Sequence, residues 1–483
     1  MAVNVREANR DQLWLMPPSV ADWLPEDHLA WFVLDVVAEL DLSAFYVDHR
    51  DDGRGGAIYD PATMLAILLY AYCIGERSSR RIERRCVDDV ALRVLAANQR
   101  PDHATLARFR RRHAESLAGV FGQVLGLCVQ AGLVDAGLVA IDGTKMGANA
   151  SAWSNRTRRQ LAEEILAEAE EADASEDELL AERRGDELPA EWADRRERRA
   201  RLREALRQLE AQGSADWEAH QAKRAAREAE LGRKLPGRKP RPDGRRAKQR
   251  HANVTDPDSR MLRCTQGFIQ GYNAQAAVSA DHIVVAAEVA NAANDTTQFV
   301  PMLAAATENL HAAGCDDGIG TVVADAGYWS TDNATVETEA TLLIATVAAT
   351  NGVIEPDDPR LRVRRRVLAR LDRGKLGVRE AAAEMGISET WARKLLSDYR
   401  LRAPDPVKVR AGMDAKLATP EGAAAYARRK TIAEPVFGNI KSNQGYRRFS
   451  VRGLRAVGSE WKLMCATHNL LKLWRQGLGL ALA

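Results

Sequence analysis

The chain has 483 residues, of which 46% are hydrophobic and 28% charged, and its formal net charge is +2. This length predicts two to four domains, and the composition is that of a globular protein. The longest apolar run, near residues 62–74, is too short to cross a bilayer, and the N-terminus lacks a signal-peptide pattern, so no membrane partner is expected. Six scattered cysteines without a CxxC pair favour reduced thiols in a cytoplasmic protein.

The first part of the chain is predicted to be an extended arm, residues 1–26, followed by a helical domain, residues 27–137. In that domain Asp60 and Pro61 precede an apolar run, which is the pattern of a capped helix with proline at its first position. Residues 73–113 contain eleven Arg against five acidic residues. Arginines at helical spacing opposite an apolar face are typical of a surface that binds the DNA backbone. Arg110 and Arg111 are therefore candidate DNA contacts, and a solvated face paired with acids is the alternative.

An α/β core is predicted from three segments that are separated by insertions: 138–154, 251–348 and 421–475. It begins with a strand at Leu138, continues through a hairpin at 267–289 and a helix that Asp295 is expected to cap, and ends its sheet with strands at 321–325 and 340–347. This order of strand, hairpin, helix, strand, helix, strand resembles the ribonuclease H-like fold, a mixed sheet with flanking helices.

The first insertion, residues 155–250, is strongly charged. Acidic helix-formers give way to Arg-rich ones, and Leu202, Leu206 and Leu209 have coiled-coil spacing, so a helical hairpin followed by a basic linker is predicted. A self-neutralising solvated segment is the alternative for its helical half.

The second insertion, residues 349–420, contains a pattern typical of a helix-turn-helix. Gly386 falls at the turn and Ser388 is a suitable cap for the second helix. On that helix Arg393 and Lys394 are candidate DNA contacts, and a partner-binding helix pair is the alternative.

Three acidic residues carry the predicted chemistry. Asp142 and Asp325 each end a short apolar run that reads as a buried strand, and Glu434 precedes Pro435 with Lys441 seven residues further on. If Pro435 begins a helix, Glu434 and Lys441 lie on one face. Three carboxylates suit a pair of hard divalent cations, Mg²⁺ with Mn²⁺ as a substitute, which is the chemistry of phosphodiester cleavage and transfer.

These strings resemble the DDE transposases of bacterial insertion sequences, in particular the group with an InsH-type helical N-terminal domain. The resemblance spans most of the chain, and its motifs are highly specific when taken together in this order. The matching segments are 24–28, 142–151, 255–260, 271–275, 325–328 and 426–441.

The resemblance implies that Asp142, Asp325 and Glu434 form an acidic triad that binds metal. It also implies phosphate contacts in the third motif, where the arginine lies one residue further from the Glu than is usual. Arg429 and Lys430 are therefore alternatives for the same phosphate contact. The remaining implied DNA contacts are Tyr426, Lys441 and Trp329, and a core anchor is the alternative reading of Trp329.

The predicted function is a transposase that binds the terminal inverted repeats of an insertion sequence and catalyses metal-dependent strand cleavage and transfer. Its expected partner is double-stranded DNA, with a homodimer in the synaptic complex, at the nucleoid in the bacterial cytoplasm. Two alternatives remain: a catalytically inactive, regulatory DNA-binding relative, and a ribonuclease H-like nuclease without strand transfer.

Overall fold

A computed structural model describes residues 20–47, 59–167, 190–231, 250–264, 267–346, 359–372, 374–400 and 406–477. Most of the predicted arm and of the basic linker lies outside these residues. None of the helices in the described ranges has the length and apolar character needed to span a bilayer.

The N-terminal part is helical, as predicted. Its helices are α1 (Leu29–Glu39), α2 (Ser43–Tyr46), α3 (Pro61–Cys73), α4 (Ser79–Asp88), α5 (Val90–Leu95), α6 (His103–Arg112) and α7 (Ala114–Gln130). The predicted cap of α3 is confirmed, since Asp60 accepts a hydrogen bond from the backbone N–H of Thr63 at 3.3 Å. Almost every residue of α3 is buried, so this apolar helix is the centre of the bundle.

One mixed sheet forms the middle of the molecule. Its strands are β1 (Leu138–Gly147), β4 (Arg260–Cys264), β5 (Gly267–Ser279), β6 (Val284–Ala290), β7 (Thr321–Ala324) and β8 (Thr341–Ile344), and a separate pair is β2 (Asn155–Thr157) with β3 (His251–Asn253). β5 pairs antiparallel with both β1 and β6, while β1, β7 and β8 run parallel. The predicted hairpin and the predicted order of elements are therefore confirmed.

Helices cover both faces of this sheet. They are α10 (Phe299–Ala312), α11 (Thr331–Ala334), α15 (Pro406–Ala418), α16 (Pro420–Gly438) and α17 (Leu454–Arg475). One apolar core joins α16, α17 and the N-terminal bundle to one face, and a second core joins α10 to the other face. The alternation of side chains along each strand makes both cores possible.

The described part of the first insertion consists of strand β2 followed by two helices. A helix over residues 158–167, α8, packs on the long helix α9 (Ala190–Leu231) through Leu161, Leu202 and Leu209. The predicted leucine spacing thus marks the buried side of α9. The second insertion contains three helices: α12 (Pro359–Asp372), α13 (Val378–Met385) and α14 (Glu389–Arg400).

The expectation that a new helix begins at Pro435 is wrong. α16 continues through Pro435 to Gly438 and is followed by a π-helical turn, Asn439–Asn443. A proline has no N–H to donate to the carbonyl four residues earlier, which is that of Thr431. The ring of His282 supplies the missing donor, with its Nε2 lying 2.9 Å from the Thr431 oxygen. Because a carbonyl can only accept, this nitrogen carries the proton.

Replacing His282 with Asn should therefore weaken α16. His282 has a φ of 65°, a region that Asn tolerates, so His282→Asn removes the ring N–H without adding backbone strain. We expect a loss of about 1 kcal/mol in the free energy of unfolding, measured by urea denaturation. The exposed His311→Asn is the matched control, and an equal effect of the two changes would contradict this explanation.

Candidate active site

Two of the predicted acids meet because their strands are parallel neighbours. Residues 138–141 of β1 pair in register with residues 321–324 of β7, so Asp142 and Asp325 lie side by side where this pairing ends. Each carboxylate accepts a backbone hydrogen bond from a glycine that follows it in the chain. Asp142 accepts from the N–H of Gly143 at 2.8 Å, and Asp325 accepts from the N–H of Gly327 at 2.8 Å.

Alternate residues of β1 serve opposite faces of the sheet. Asp142 and Thr144 face α16 and the π-helical turn after it, where they contact Arg429 and Lys441 respectively. Lys145 faces the other way and forms an ion pair with Asp295 at 3.2 Å. The strand therefore holds one charged group on each side of the sheet edge.

Asp295 is not the side-chain cap that the sequence predicted. It precedes a 3-10 turn, Thr296–Gln298, but its carboxylate makes no capping hydrogen bond there. Its Oδ1 instead accepts from the amides of Asn273 at 2.6 Å and Gln275 at 2.8 Å, besides the ammonium of Lys145. Three donors from β1 and β5 outcompete the two backbone N–H groups of a single turn.

Glycine is required immediately after Asp142. A Cβ on Gly143 would lie 2.3 Å from Nε2 of Gln275 and 3.0 Å from Oδ1 of Asp295, so the Gln275 side chain would have to leave its hydrogen bonds with Tyr328 and Asp295. A Cβ on Gly327 would lie 3.0 Å from Oδ1 of Asp325 and at an ordinary contact distance of 3.5 Å from Asp295. Asp295 is thus packed close to both glycines, and the Asp142-Gly143 pair in the sequence reflects the crowding at Gly143.

The electrostatics of Asp142 combine burial with two acidic neighbours. Burial raises its pKa to about 6, and Asp325 and Asp295 act in the same direction. The N–H of Gly143 and the guanidinium of Arg429, which lies 3.1 Å from Oδ2, oppose this rise. A carboxylate in these surroundings binds additional positive charge favourably.

The third predicted acid stands apart from this pair. Glu434 is exposed on α16, a helix that packs against β1 and β7, and among the described residues it forms no hydrogen bond or ion pair. Lys441 does reach β1, where its ammonium donates to Thr144 and to the carbonyl of Lys145 at 3.0 Å. Burial lowers the pKa of Lys441.

Arg429 and Lys430, the two alternatives for the phosphate contact, differ sharply in exposure. Arg429 is buried and paired with Asp142, whereas Lys430 is exposed on the next position of α16. Tyr426 and Trp329 are half-buried, each packed against one of the two cores. The contacts of Trp329 favour the core-anchor reading, and its stacking on a base stays a prediction.

The predicted DNA contacts of the N-terminal bundle also divide into two kinds. Arg110 points inward, where its guanidinium donates to the carbonyl of Arg77 at 2.9 Å and to Ser79 Oγ at 2.7 Å. Arg111, the next residue, is exposed. The exposed arginines of α4 and α6 are Arg80, Arg81, Arg84, Arg108, Arg111 and Arg112.

The donor set of Asp142 and Asp325 suits a hard divalent cation, because both ligands are carboxylates and one oxygen of each is already oriented by backbone. Within the described ranges, no three His, Cys, Asp or Glu side chains are close enough to hold a metal. The structure therefore brings together two of the predicted ligands and leaves Glu434 outside the pair.

Two family models match the chain. One, described as a transposase domain of the DUF772 type, covers residues 18–112, and the other, a transposase DDE domain, covers residues 399–474. The first contains α1 to α6 and the second contains Glu434 and Lys441. Both matches are to transposase domains, and together they support an insertion-sequence DDE transposase.

The two matches leave several details as predictions. No curated protein and no solved structure matches the chain. Neither family match reaches Asp142 or Asp325, and neither addresses the InsH-type grouping of the N-terminal bundle.

The raised pKa of Asp142 predicts a specific pH dependence of stability in the absence of metal. Since the folded pKa lies above that of the unfolded chain, the contribution of this group is fully present below pH 3.8 and is lost as pH rises through about 6. The shift corresponds to roughly 3 kcal/mol. Asp142→Asn should therefore gain stability relative to the wild type as pH rises from about 4 to about 7.

This difference is measured by urea denaturation with a chelator present, over that pH range. Asp316→Asn, which removes an exposed charge, is the matched control. Parallel pH profiles for the wild type and Asp142→Asn would contradict the account. A constant offset caused by the loss of the Arg429 ion pair would not, because only the slope reports titration.

Proposed function

We propose that this protein cleaves the ends of an insertion sequence and joins them to target DNA. The observation that carries the proposal is the pair Asp142 and Asp325, held side by side at one sheet edge in a chain with two transposase family matches. The strand order β6-β5-β1-β7-β8, with only the last three parallel, supports a ribonuclease H-like core.

Asp142, Asp325 and Glu434 would hold Mg²⁺, or Mn²⁺ in its place. When bound, the metal supplies activation of the attacking oxygen and stabilisation of the leaving oxygen in phosphodiester chemistry. Glu434 lies on a helix packed against both strands, and its carboxylate is not engaged elsewhere among the described residues. In this proposal the carboxylate of Glu434 moves toward the pair when metal is bound.

The cationic residues beside the acids have distinct proposed roles. Arg429 neutralises Asp142 and holds its carboxylate in a fixed orientation, as the buried ion pair indicates. Lys441 is fixed beside β1 by Thr144, next to the position where a scissile phosphate would lie. Lys430, which is exposed one position after Arg429, is then the residue of that pair available to DNA.

Asp295 is proposed as a positioning residue. Its Oδ1 is shared by Lys145, Asn273 and Gln275, and this arrangement presses it against Gly143 and Gly327. The backbone N–H groups of these two glycines orient Asp142 and Asp325. By packing on these glycines, Asp295 therefore fixes the distance between Asp142 and Asp325.

The N-terminal bundle is proposed to bind the DNA backbone through its exposed arginines. α4 and α6 pack together, and both present arginine to solvent, so the positive charge is concentrated on two adjacent helices. Arg111 belongs to this surface, whereas Arg110 stabilises the bundle that carries it. Handling two element ends in one reaction predicts a homodimer in the synaptic complex.

Strand transfer tests the proposal. The full-length protein is incubated with a labelled duplex from the end of its element, a target plasmid and Mg²⁺. We expect joined products from the wild type and a loss of at least about 100-fold for Asp325→Ala, since removing a ligand removes charge stabilisation in the transition state. Asp332→Ala, an exposed acid seven residues later, is the matched control and should retain activity.

Two outcomes would contradict this function. Binding of the end duplex without cleavage by the wild type would favour a regulatory DNA-binding protein. Cleavage of any duplex without joining would favour a simple nuclease.

A further inference from the structure

The second insertion folds as a three-helix module around a core of its own. Val367 and Leu371 of α12 pack against Ala381 of α13 and against Leu395 and Leu396 of α14. None of these residues belongs to either core of the sheet. Both family matches omit nearly all of the module, since one ends at residue 112 and the other begins at residue 399.

The turn between α13 and α14 has the geometry that the sequence predicted. Gly386 adopts a φ of 66°, and its N–H and that of Ile387 close the end of α13 by bonding to Ala383 at 3.1 Å and Ala382 at 3.0 Å. Ser388 then caps α14 by accepting from the N–H of Trp391 at 3.2 Å. The crossing of the two helices is therefore fixed by hydrogen bonds within the turn.

The module is strongly basic in a chain that is nearly neutral. Residues 359–400 contain twelve Lys and Arg against five Asp and Glu, a formal charge of +7, whereas the whole chain carries +2. A charge of this density on a small unit is complementary to a phosphate backbone. It also opposes the packing of the module against another basic surface of the same chain.

One face of α14 is suited to reading base edges. Thr390, Arg393 and Lys394 are exposed on it, and their spacing of three and four residues places them side by side. Arg393 pairs with Glu389 at 2.8 Å, but both side chains are about half exposed, and such surface pairs contribute little. The guanidinium is therefore easily transferred to a stronger acceptor such as a guanine edge.

We propose that this module reads base sequence in duplex DNA, with α14 in the major groove and Arg393, Lys394 and Thr390 toward the bases. This inference rests on the proposed function, which supplies the biological source of the DNA. It deepens that function by adding a surface that reads sequence to the N-terminal bundle, which is proposed to bind the DNA backbone. A helix of this size fits the major groove, and the N-terminal half of a second helix supplies base contacts in helix-turn-helix proteins.

The position of the insertion links this surface to the acids. The module leaves the core after β8 and returns at α15, and these two elements are in contact, since the N–H of Ile344 lies 3.4 Å from Met413 Sδ. β8 is the neighbour of the strand that precedes Asp325, and α15 leads directly into the helix that carries Glu434. DNA held by the module is thereby tethered through both connections to the elements around the candidate site.

The experiment is a selection from a library of duplexes randomised over about 20 base pairs, roughly two helical turns. The full-length protein is used with a chelator, so that no catalysis takes place and the result does not depend on the proposed chemistry. The variants are Arg393→Ala, Lys394→Ala and Thr390→Ala. Lys416→Ala, which removes an exposed charge on α15, is the matched control.

We expect the wild type to enrich a motif. Arg393→Ala should lose preference at one or two adjacent positions and bind the selected duplex about ten-fold more weakly, with unselected duplex affected far less. Lys416→Ala should leave the motif unchanged. Thermal unfolding checks that each variant is folded, as expected for exposed positions.

Several results would overturn the proposal. The first is a wild type that enriches no motif. The second is a complete motif retained by all three variants, and the third is a variant that binds selected and unselected duplexes more weakly by the same factor. The last two would be expected of a protein-binding module or of a simple phosphate clamp. Absence of strand transfer by the wild type in the assay described above, with the motif intact, would refute the proposed chemistry and leave this inference standing.

Discussion

The parallel pairing of β1 with β7 is the interaction on which the rest of this structure depends. It places Ile141 opposite Ala324, and so brings together two aspartates that are 183 residues apart in the chain. Two carboxylates in a partly buried position repel one another and resist desolvation. The ladder of backbone hydrogen bonds and the apolar side chains on both faces of the sheet hold them together in spite of this repulsion.

The surrounding polar groups make that arrangement tolerable. Gln275, in the centre of the sheet, connects three elements: its carbonyl accepts from the indole of Trp461 at 2.8 Å, its side-chain oxygen accepts from Tyr328, and its amide donates to Asp295. Gln275, Tyr328 and Trp461 are buried, and satisfied polar networks in such places fix a single geometry. α17, whose Trp461 contacts Gln275, thereby helps to position the site although it carries none of its acids.

The sequence predicted those features that depend on local pattern. Asp142 and Asp325 follow runs of β-branched residues, Asp60 and Pro61 mark a helix start, and Gly386 marks a turn, because each signal lies within a few residues of its effect. The resemblance to transposases then supplied a reason to group the acids.

The features that it missed depend on contacts between distant segments. Judged from its neighbours in the sequence, Asp295 looks like a helix cap. Its carboxylate instead accepts hydrogen bonds from side chains of β1 and β5, which are distant in the chain. Pro435 looks like a helix break, and only His282, more than a hundred residues earlier, replaces the missing donor. Arg110 is indistinguishable from Arg111 by pattern, and the packing of α6 on the loop before α4 decides which of them faces inward.

The central claim is that Asp142, Asp325 and the helix bearing Glu434 form one site for divalent cations. The most direct test maps this site on the polypeptide. Fe²⁺ is supplied in place of Mg²⁺ together with ascorbate and hydrogen peroxide. The bound Fe²⁺ reduces the peroxide to hydroxide and a hydroxyl radical, which cuts the backbone near the metal, and ascorbate returns Fe³⁺ to Fe²⁺. The account predicts cuts at 142–145, 325–328 and 434–441, all suppressed by excess Mg²⁺. Cuts confined to other segments, or cuts that Mg²⁺ does not suppress, would contradict it.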